Sequence, residues 1–311
     1  MRRWMFPFCA LLCVPLCAAA DYYTLTDRWQ VNFGRGQERA QYRTAACPDG
    51  TFYLSDNFGR VAVIDANGKV TSRQLRREFV NARALACDAA SRLYVVSPGE
   101  IVIMRAGAMV SRMQTDVAIA SLAITSDGSI YASGTLRSSS LPLHLIDNQG
   151  RAVKSFGIAP TVPFNRAYPR FDGQVLWQED LDRVLYIPKW RDFEIQAYGA
   201  DGHAIGIFGA QGAHILPVRV SDGEPALGQA VGAAQLPRGE IAVQREVADF
   251  GRGRSVRMLE IYDSKLRPTG TAVSDARTLA GSAADGDLYF TTLTPRGLQV
   301  FKVGLVKRLA L

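Results

Sequence analysis

The side chains best suited to catalysis or metal binding are few and dispersed along this sequence. The 311 residues include three histidines, His144, His203 and His214, and these positions make a poor histidine-based metal site. The chain lacks the G-x-S-x-G, G-x-x-x-x-G-K-S/T and H-E-x-x-H motifs that serve nucleophilic hydrolysis, phosphate binding and zinc proteolysis. We therefore expect no catalytic residues and no histidine-held metal.

Oxygen-bearing side chains leave a second kind of metal site open. They form three short groups beside predicted strands: Asp56 with Asn57, Glu179 with Asp180, and Glu246 with Asp249. Carboxylate and amide oxygens are ligands that suit Ca²⁺. No short motif gathers these groups, so the sequence neither predicts nor excludes one divalent cation such as Ca²⁺.

The elements that must position any site repeat along the chain. Residues 47–68 read as an Asp-Gly turn, a Tyr-bearing strand, a third strand and an Asn-Gly turn, and variants recur with Asp49, Asp88 and Asp127 spaced 39 residues apart. Such pairs supply the positive φ of two-residue hairpin turns. A repeat of about 40 to 50 residues is typical of four-stranded propeller blades. The sequence therefore predicts an all-β propeller.

Six repeats can be followed across residues 43–311, so we predict a six-bladed β-propeller with four-stranded antiparallel blades, forming one domain over residues 21–311. We expect the N-terminal strand to pair with the last blade, because ring closure removes exposed sheet edges. A tyrosine recurs in the second strand of five blades: Tyr53, Tyr94, Tyr131, Tyr186 and Tyr289. Such a side chain is expected to pack blade against blade, with ligand stacking as the alternative.

Residues 1–20 have the pattern of a secretory signal peptide. Two arginines precede an apolar run of fourteen residues, and three alanines precede Asp21. The run is shorter than the about 20 residues that span a bilayer. We expect cleavage after Ala20, export to the periplasm or the medium, and no membrane span in the mature chain.

Cleavage would leave two cysteines, Cys47 and Cys87, at matching points of the first two repeats. An even pair in an oxidising compartment suggests a disulfide, and a closed loop of about 40 residues would contribute about 3 to 4 kcal/mol in the chain-entropy model. Matching points on adjacent blades can also lie beyond the roughly 7 Å Cα separation that a disulfide allows. A disulfide and two buried thiols both remain open.

The net charge gives only a general indication of partners. Loss of Arg2 and Arg3 would lower it from +7 to +5. This mild excess suits an acidic protein, a glycan or a membrane surface, although solubility explains it equally well. The sequence has no Lys/Arg-rich run and no aromatic RNA-binding motif, so nucleic acid is not an expected partner.

The repeat, with its Asp-Gly turn, Tyr-bearing strand and second Gly-bearing turn, resembles the NHL-like and related six-bladed propellers over about residues 43–311. The resemblance implies the propeller fold. It also implies an alternative function, because related propellers include lactonases and lyases that hold a divalent metal over the central channel. Lactonase-type relatives carry a Glu in the first inner strand, whereas residues 43–47 contain none.

The longest connections favour binding at one face. They fall at residues 158–172, 210–232 and 246–254, and long loops on a rigid scaffold commonly bind partners. Cationic and aromatic candidates occur on the same face: Arg60, Arg137, Lys189, Trp190, Arg191, Phe250, Arg252, Arg254 and Arg296. We predict a non-catalytic exported scaffold that binds a protein or an anionic envelope component there. Tolerance of insertions and a solvated charged surface are the alternatives.

Overall fold

A computed structural model describes residues 21–34, 40–159, 173–189, 194–209, 218–219, 225–226, 229–249, 254–295 and 297–308. The predicted signal segment, residues 1–20, lies outside the described residues. Six four-stranded antiparallel blades form a ring, which confirms the predicted six-bladed propeller.

Each blade uses consecutive strands, except that β1 (Asp21–Gly34) is the outer strand of blade six. Blade one comprises β2 (Tyr42–Ala46), β3 (Phe52–Asp56), β4 (Phe58–Ile64) and β5 (Val70–Val80). Blade two comprises β6 (Ala84–Cys87), β7 (Leu93–Ser97), β8 (Glu100–Arg105) and β9 (Ala108–Gln114). Blade three comprises β10 (Ala118–Ile124), β11 (Ile130–Thr135), β12 (Leu143–Ile146) and β13 (Ala152–Phe156).

Blade four comprises β14 (Gly173–Gln178), β15 (Arg183–Pro188), β16 (Ile195–Gly199) and β17 (Ala204–Phe208). A separate pair, β18 (Val218–Arg219) and β19 (Pro225–Ala226), precedes blade five. Blade five comprises β20 (Gln229–Gln235), β21 (Ile241–Asp249), β22 (Arg254–Tyr262) and β23 (Pro268–Val273). Blade six comprises β24 (Thr278–Ser282), β25 (Leu288–Thr294), β26 (Gly297–Arg308) and β1. Single 3-10 turns occupy Glu179–Leu181 and Pro237–Gly239.

The ring closes through β1, as predicted. This strand pairs antiparallel with β26 from Tyr22 opposite Arg308 to Gly34 opposite Leu298. It also pairs in parallel with the middle of β23, at Gly270 and Thr271, so blades five and six share one eight-stranded sheet. The closing strand therefore covers edges of both blades, which leaves fewer unpaired backbone groups at the ring joint.

Aspartates at the turns between third and fourth strands explain why the chain reverses there. Asp65, Asp147 and Asp263 each accept backbone N–H groups two and four residues later, with N···O distances between 2.9 and 3.0 Å. These bonds hold the turn independently of the rest of the blade. Such turns carry a strong local signal in the sequence.

The recurring tyrosines pack between blades, as predicted. Tyr94, Tyr131, Tyr186 and Tyr289 are at most 3% exposed, whereas Tyr53 is partly exposed. The Tyr289 ring lies 4.6 Å from that of Phe52, centroid to centroid, which joins blade six to blade one. Burial raises the pKa of Tyr289 to about 12, as expected for a packed phenol rather than a proton donor near neutral pH.

Candidate functional site

The ring has two faces with different connections. The first-to-second and third-to-fourth strand turns lie on one face, which we call the tight-turn face. The second-to-third strand connections and the crossovers between blades lie on the other, the long-loop face. Inner strands β2, β6, β10, β14, β20 and β24 line the channel between them.

The channel opens on the long-loop face into a cavity of about 860 Å³, which we call the long-loop mouth. All six inner strands contribute to its wall. Its charged lining residues among those described are Arg43, Arg83 and Lys189, and no Asp, Glu or His joins them. Its volume lies within the range of ligand-binding clefts in proteins.

The predicted cationic residues of this face differ in how they are held. Arg60 pairs with the fully buried carboxylate of Asp56, Nε to Oδ2 at 2.6 Å, so its charge is neutralised locally. Arg137 is exposed between β11 and β12. Lys189 follows β15 and lines the long-loop mouth. Only Lys189 of these three therefore faces the channel opening.

The remaining candidates surround the blade-five hairpin or lie outside the described residues. Strand pairing in this hairpin continues to Asp249 opposite Arg254, so Arg254 sits at the far end of an extended arm. Five predicted residues lie outside the described part of the chain: Trp190, Arg191, Phe250, Arg252 and Arg296.

The three groups of oxygen-bearing side chains do not converge. Asp56 and Glu246 lie at the long-loop face, where Arg60 and Arg257 respectively contact them. Glu179 lies in a 3-10 turn at the tight-turn face, and hydrogen bonds from Ser126 and Trp177 lower the pKa of its carboxyl. A single cation site built from all three groups is therefore incompatible with this strand arrangement.

The described histidines have structural surroundings. His144 is fully buried in β12, with Nδ1 2.9 Å from Ser155 Oγ and Nε2 3.2 Å from Gly134 O. His203 contacts Asp201 in an exposed turn on the tight-turn face. His214 lies outside the described residues. Among the residues that the structure describes, no three His, Cys, Asp or Glu side chains form a metal-binding group.

The described lining of the long-loop mouth does not suit the divalent ion that the family resemblance implies. Arg43, Arg83 and Lys189 present positive charge there, and no carboxylate or imidazole lines the described wall. Divalent cations require oxygen or nitrogen ligands and are repelled by neighbouring cations. The described wall is chemically better matched to an anion.

The tight-turn end of the channel is built differently. Its cavity, the tight-turn mouth, has a volume of about 480 Å³, and alanine is its most frequent lining residue, beside Pro48, Pro237 and Trp177. Cys47 and Cys87 lie here in a disulfide, with Cα atoms 5.1 Å apart. Matching points on the inner strands of blades one and two are therefore close enough for the bond that the sequence left open.

The sequence reasoning missed Arg43 and Arg83. A signal was available, because each precedes a cysteine by four residues at matching points of the first two repeats. The sequence indicates Arg43 only as the start of an inner strand. In a propeller these starts converge at the channel, so repeated residues there share one cavity.

The sequence matches no protein-family model and no curated protein sequence. Solved structures share its fold. A member of the DUF4221 family from Bacteroides vulgatus has a TM-score of 0.57 and 9% identity, covering 92% of this chain and 99% of its own. A candidate exported protein from Bacteroides fragilis has a TM-score of 0.56 and 8% identity, covering 91% and 96%.

An enzyme is also among the similar structures. A catalytically inactive variant of virginiamycin B lyase from Staphylococcus aureus, solved with quinupristin, has a TM-score of 0.51 and 12% identity, covering 91% of this chain and 100% of its own. At these identities the likeness concerns the propeller fold. In the part of the chain that the structure describes, no helix has the length and apolar character needed to cross a bilayer.

Proposed function

We propose that this chain is an exported, non-catalytic propeller that binds a protein or an anionic component of the cell envelope through its long-loop face. The extended blade-five hairpin carries the proposal. Strand β21 has nine residues, whereas the second strands of the other blades have five to seven. An extended arm beside a channel opening offers a binding surface on the propeller scaffold.

Export is supported by the signal-like pattern of residues 1–20 and by the fold shared with a candidate exported protein. In the oxidising environment outside the cytoplasm, the disulfide between Cys47 and Cys87 would persist. Both observations suit a periplasmic or secreted scaffold.

The test is capture of a partner from the envelope fraction of the producing organism, with the protein produced from its full chain. The variant Arg252→Glu with Arg254→Glu reverses two charges at the hairpin. We expect it to lose at least tenfold in captured partner, because desolvated arginines often dominate binding at interfaces.

A matched variant, Arg105→Glu with Lys265→Glu, reverses two exposed charges on the tight-turn face. It should capture the partner as the unaltered protein does. Equal capture by the hairpin variant and the unaltered protein would overturn the assignment of this face.

The alternative is a metal-dependent lactonase- or lyase-type enzyme with a divalent ion at the channel. The fold shared with virginiamycin B lyase favours it. Because the described wall of the long-loop mouth is cationic, its ligands would have to come from residues outside those described. About one tightly held ion per chain after purification without chelator, with lower stability after chelation, would favour the enzyme.

A further inference from the structure

We propose that the long-loop mouth binds a small molecule carrying two or more carboxylate or phosphate groups. The first observation is its charge. Arg43, Arg83 and Lys189 line the cavity, and its described wall contains no Asp or Glu. Guanidinium groups match the paired oxygens of carboxylates and phosphates, and a concave low-dielectric wall concentrates the positive field.

Arg43 donates hydrogen bonds to three neutral oxygen atoms. Its Nε donates to Arg83 O at 2.6 Å, its Nη1 to Tyr42 O at 2.8 Å and its Nη2 to Gln41 Oε1 at 3.3 Å. These three acceptors orient the guanidinium. Orientation before binding lowers the entropy that an anionic ligand must overcome.

Arg83 differs from the described arginines that are paired with acids. Ten others form ion pairs with carboxylates: Arg28, Arg60, Arg76, Arg92, Arg112, Arg151, Arg245, Arg257, Arg267 and Arg277. Within the described part of the chain, the exposed guanidinium of Arg83 forms no hydrogen bond or ion pair. Its main chain is fixed, because its N–H donates to Val96 O at 2.7 Å.

The ring order sets the number of anionic groups. Arg43 belongs to blade one and Arg83 precedes blade two, whereas Lys189 follows the second strand of blade four, across the six-bladed ring from blade one. A ligand that pairs one anionic group with each side therefore carries at least two such groups. Thr44, Ser121 and Gln174 lie in the wall between them and supply neutral hydrogen-bonding groups.

Two carboxylates at the long-loop face contact other side chains. Asp56, at the end of β3, is bound by Arg60. Glu246, at the blade-five hairpin, lies 3.5 Å from Arg257 and 3.4 Å from the amide of Gln229. Both acids are thus engaged by their own partners, and neither lines the long-loop mouth.

Isothermal titration of the protein produced from its full chain tests this site with citrate and pyrophosphate as probes and acetate as the monovalent control. We expect one citrate or pyrophosphate per chain, with a dissociation constant below about 1 mM, and no saturable acetate binding. Binding should weaken with added salt because the arginines are exposed to solvent. Citrate binding alone identifies a carboxylate ligand, and pyrophosphate binding alone identifies a phosphate ligand.

Arg83→Gln should weaken probe binding about tenfold or more, as loss of a charged hydrogen bond predicts. Lys189→Gln is a second variant from the opposite side of the ring, and Arg105→Gln on the tight-turn face is the matched control, which should bind normally. The proposal is overturned if neither citrate nor pyrophosphate binds at about 10 mM. It is also overturned if Arg83→Gln binds these probes as tightly as Arg105→Gln does. Partner capture from the envelope is a separate measurement, so the proposed partner binding and the proposed anion binding can each be overturned independently.

Discussion

The two ends of the channel are built from the same six inner strands, but one is cationic and the other carries no charge in its described lining. The long-loop mouth, at about 860 Å³, is lined by Arg43, Arg83 and Lys189. The tight-turn mouth, at about 480 Å³, has no charged side chain in its described lining. Tight turns and close inner strands limit which residues fit at the tight-turn mouth. The crossovers at the long-loop mouth impose fewer limits, so binding groups can be placed there.

Close approach explains the small residues of the tight-turn mouth. A Cβ added to Gly281 of β24 would lie 3.1 Å from Ala46 Cβ of β2. At that separation a larger side chain on either strand would force the strands apart. We therefore expect substitutions at the tight-turn end to change stability, and substitutions at the long-loop end to change binding.

The largest expected effect is removal of the disulfide at the tight-turn mouth. The bond joins residues 40 apart in sequence, and loss of a loop of that size should lower the free energy of unfolding by about 3 to 4 kcal/mol. Urea denaturation of Cys47→Ala with Cys87→Ala under oxidising conditions measures the loss. Reductant should destabilise the unaltered protein and leave the variant unchanged; a variant as stable as the oxidised protein would contradict this role.

A smaller effect is expected for Asp88→Asn on the same face. Asp88 is 3% exposed and accepts the N–H groups of Ala90 at 3.0 Å and Arg92 at 2.8 Å, while its second oxygen pairs with the Arg92 guanidinium. Loss of the charge should lower the free energy of unfolding by about 1 to 3 kcal/mol.

Asp147→Asn is the matched control for Asp88→Asn, because in the same turn pattern the Asp147 side chain is 20% exposed, against 2% for Asp88. Its loss should be smaller, since water compensates for part of the missing bond. Urea denaturation compares the two variants. If both variants lose the same free energy of unfolding, the burial of Asp88 does not determine the size of the loss.

The sequence could predict the ring because its signals are local. Asp65, Asp147 and Asp263 make their turns with backbone groups only two to four residues away, so the pattern and the structure coincide. Closure by β1 was predictable for another reason, because an unpaired last blade would expose an edge.

The long-loop mouth could not be predicted in the same way. Arg43, Arg83 and Lys189 are far apart in sequence and meet only when the ring is assembled. The sequence presents Asp56 and Glu179 as separate oxygen-bearing candidates without indicating their faces, whereas strand direction places the end of β14 on the other face. Tracking the direction of each strand would have separated these carboxylates and brought the two arginines together.

A modest pH effect should arise from His144, beneath the long-loop end of blade three. Burial lowers the pKa of its imidazole below the ordinary value of 6.5, although Gly134 O and Asp116 act in the opposite direction. The unfolded chain therefore binds the proton on His144 more tightly than the folded chain does. The contribution of neutral His144 to the free energy of unfolding is complete above pH 6.5 and is lost as pH falls below it. His144→Gln should flatten the dependence of urea midpoint on pH in this range; an unchanged slope would assign it to other groups.

The smallest expected stability change is that of Arg83→Gln, which separates the two ends most directly. The exposed guanidinium makes no hydrogen bond or ion pair within the described residues, and the carbonyl that accepts from Arg43 belongs to the backbone and survives the substitution. The free energy of unfolding should therefore change by less than about 0.5 kcal/mol, while binding of citrate or pyrophosphate falls. Urea denaturation and titration on one preparation measure both. A large loss of stability would show that Arg83 supports the blade-one to blade-two joint, and the two ends would then share a structural role.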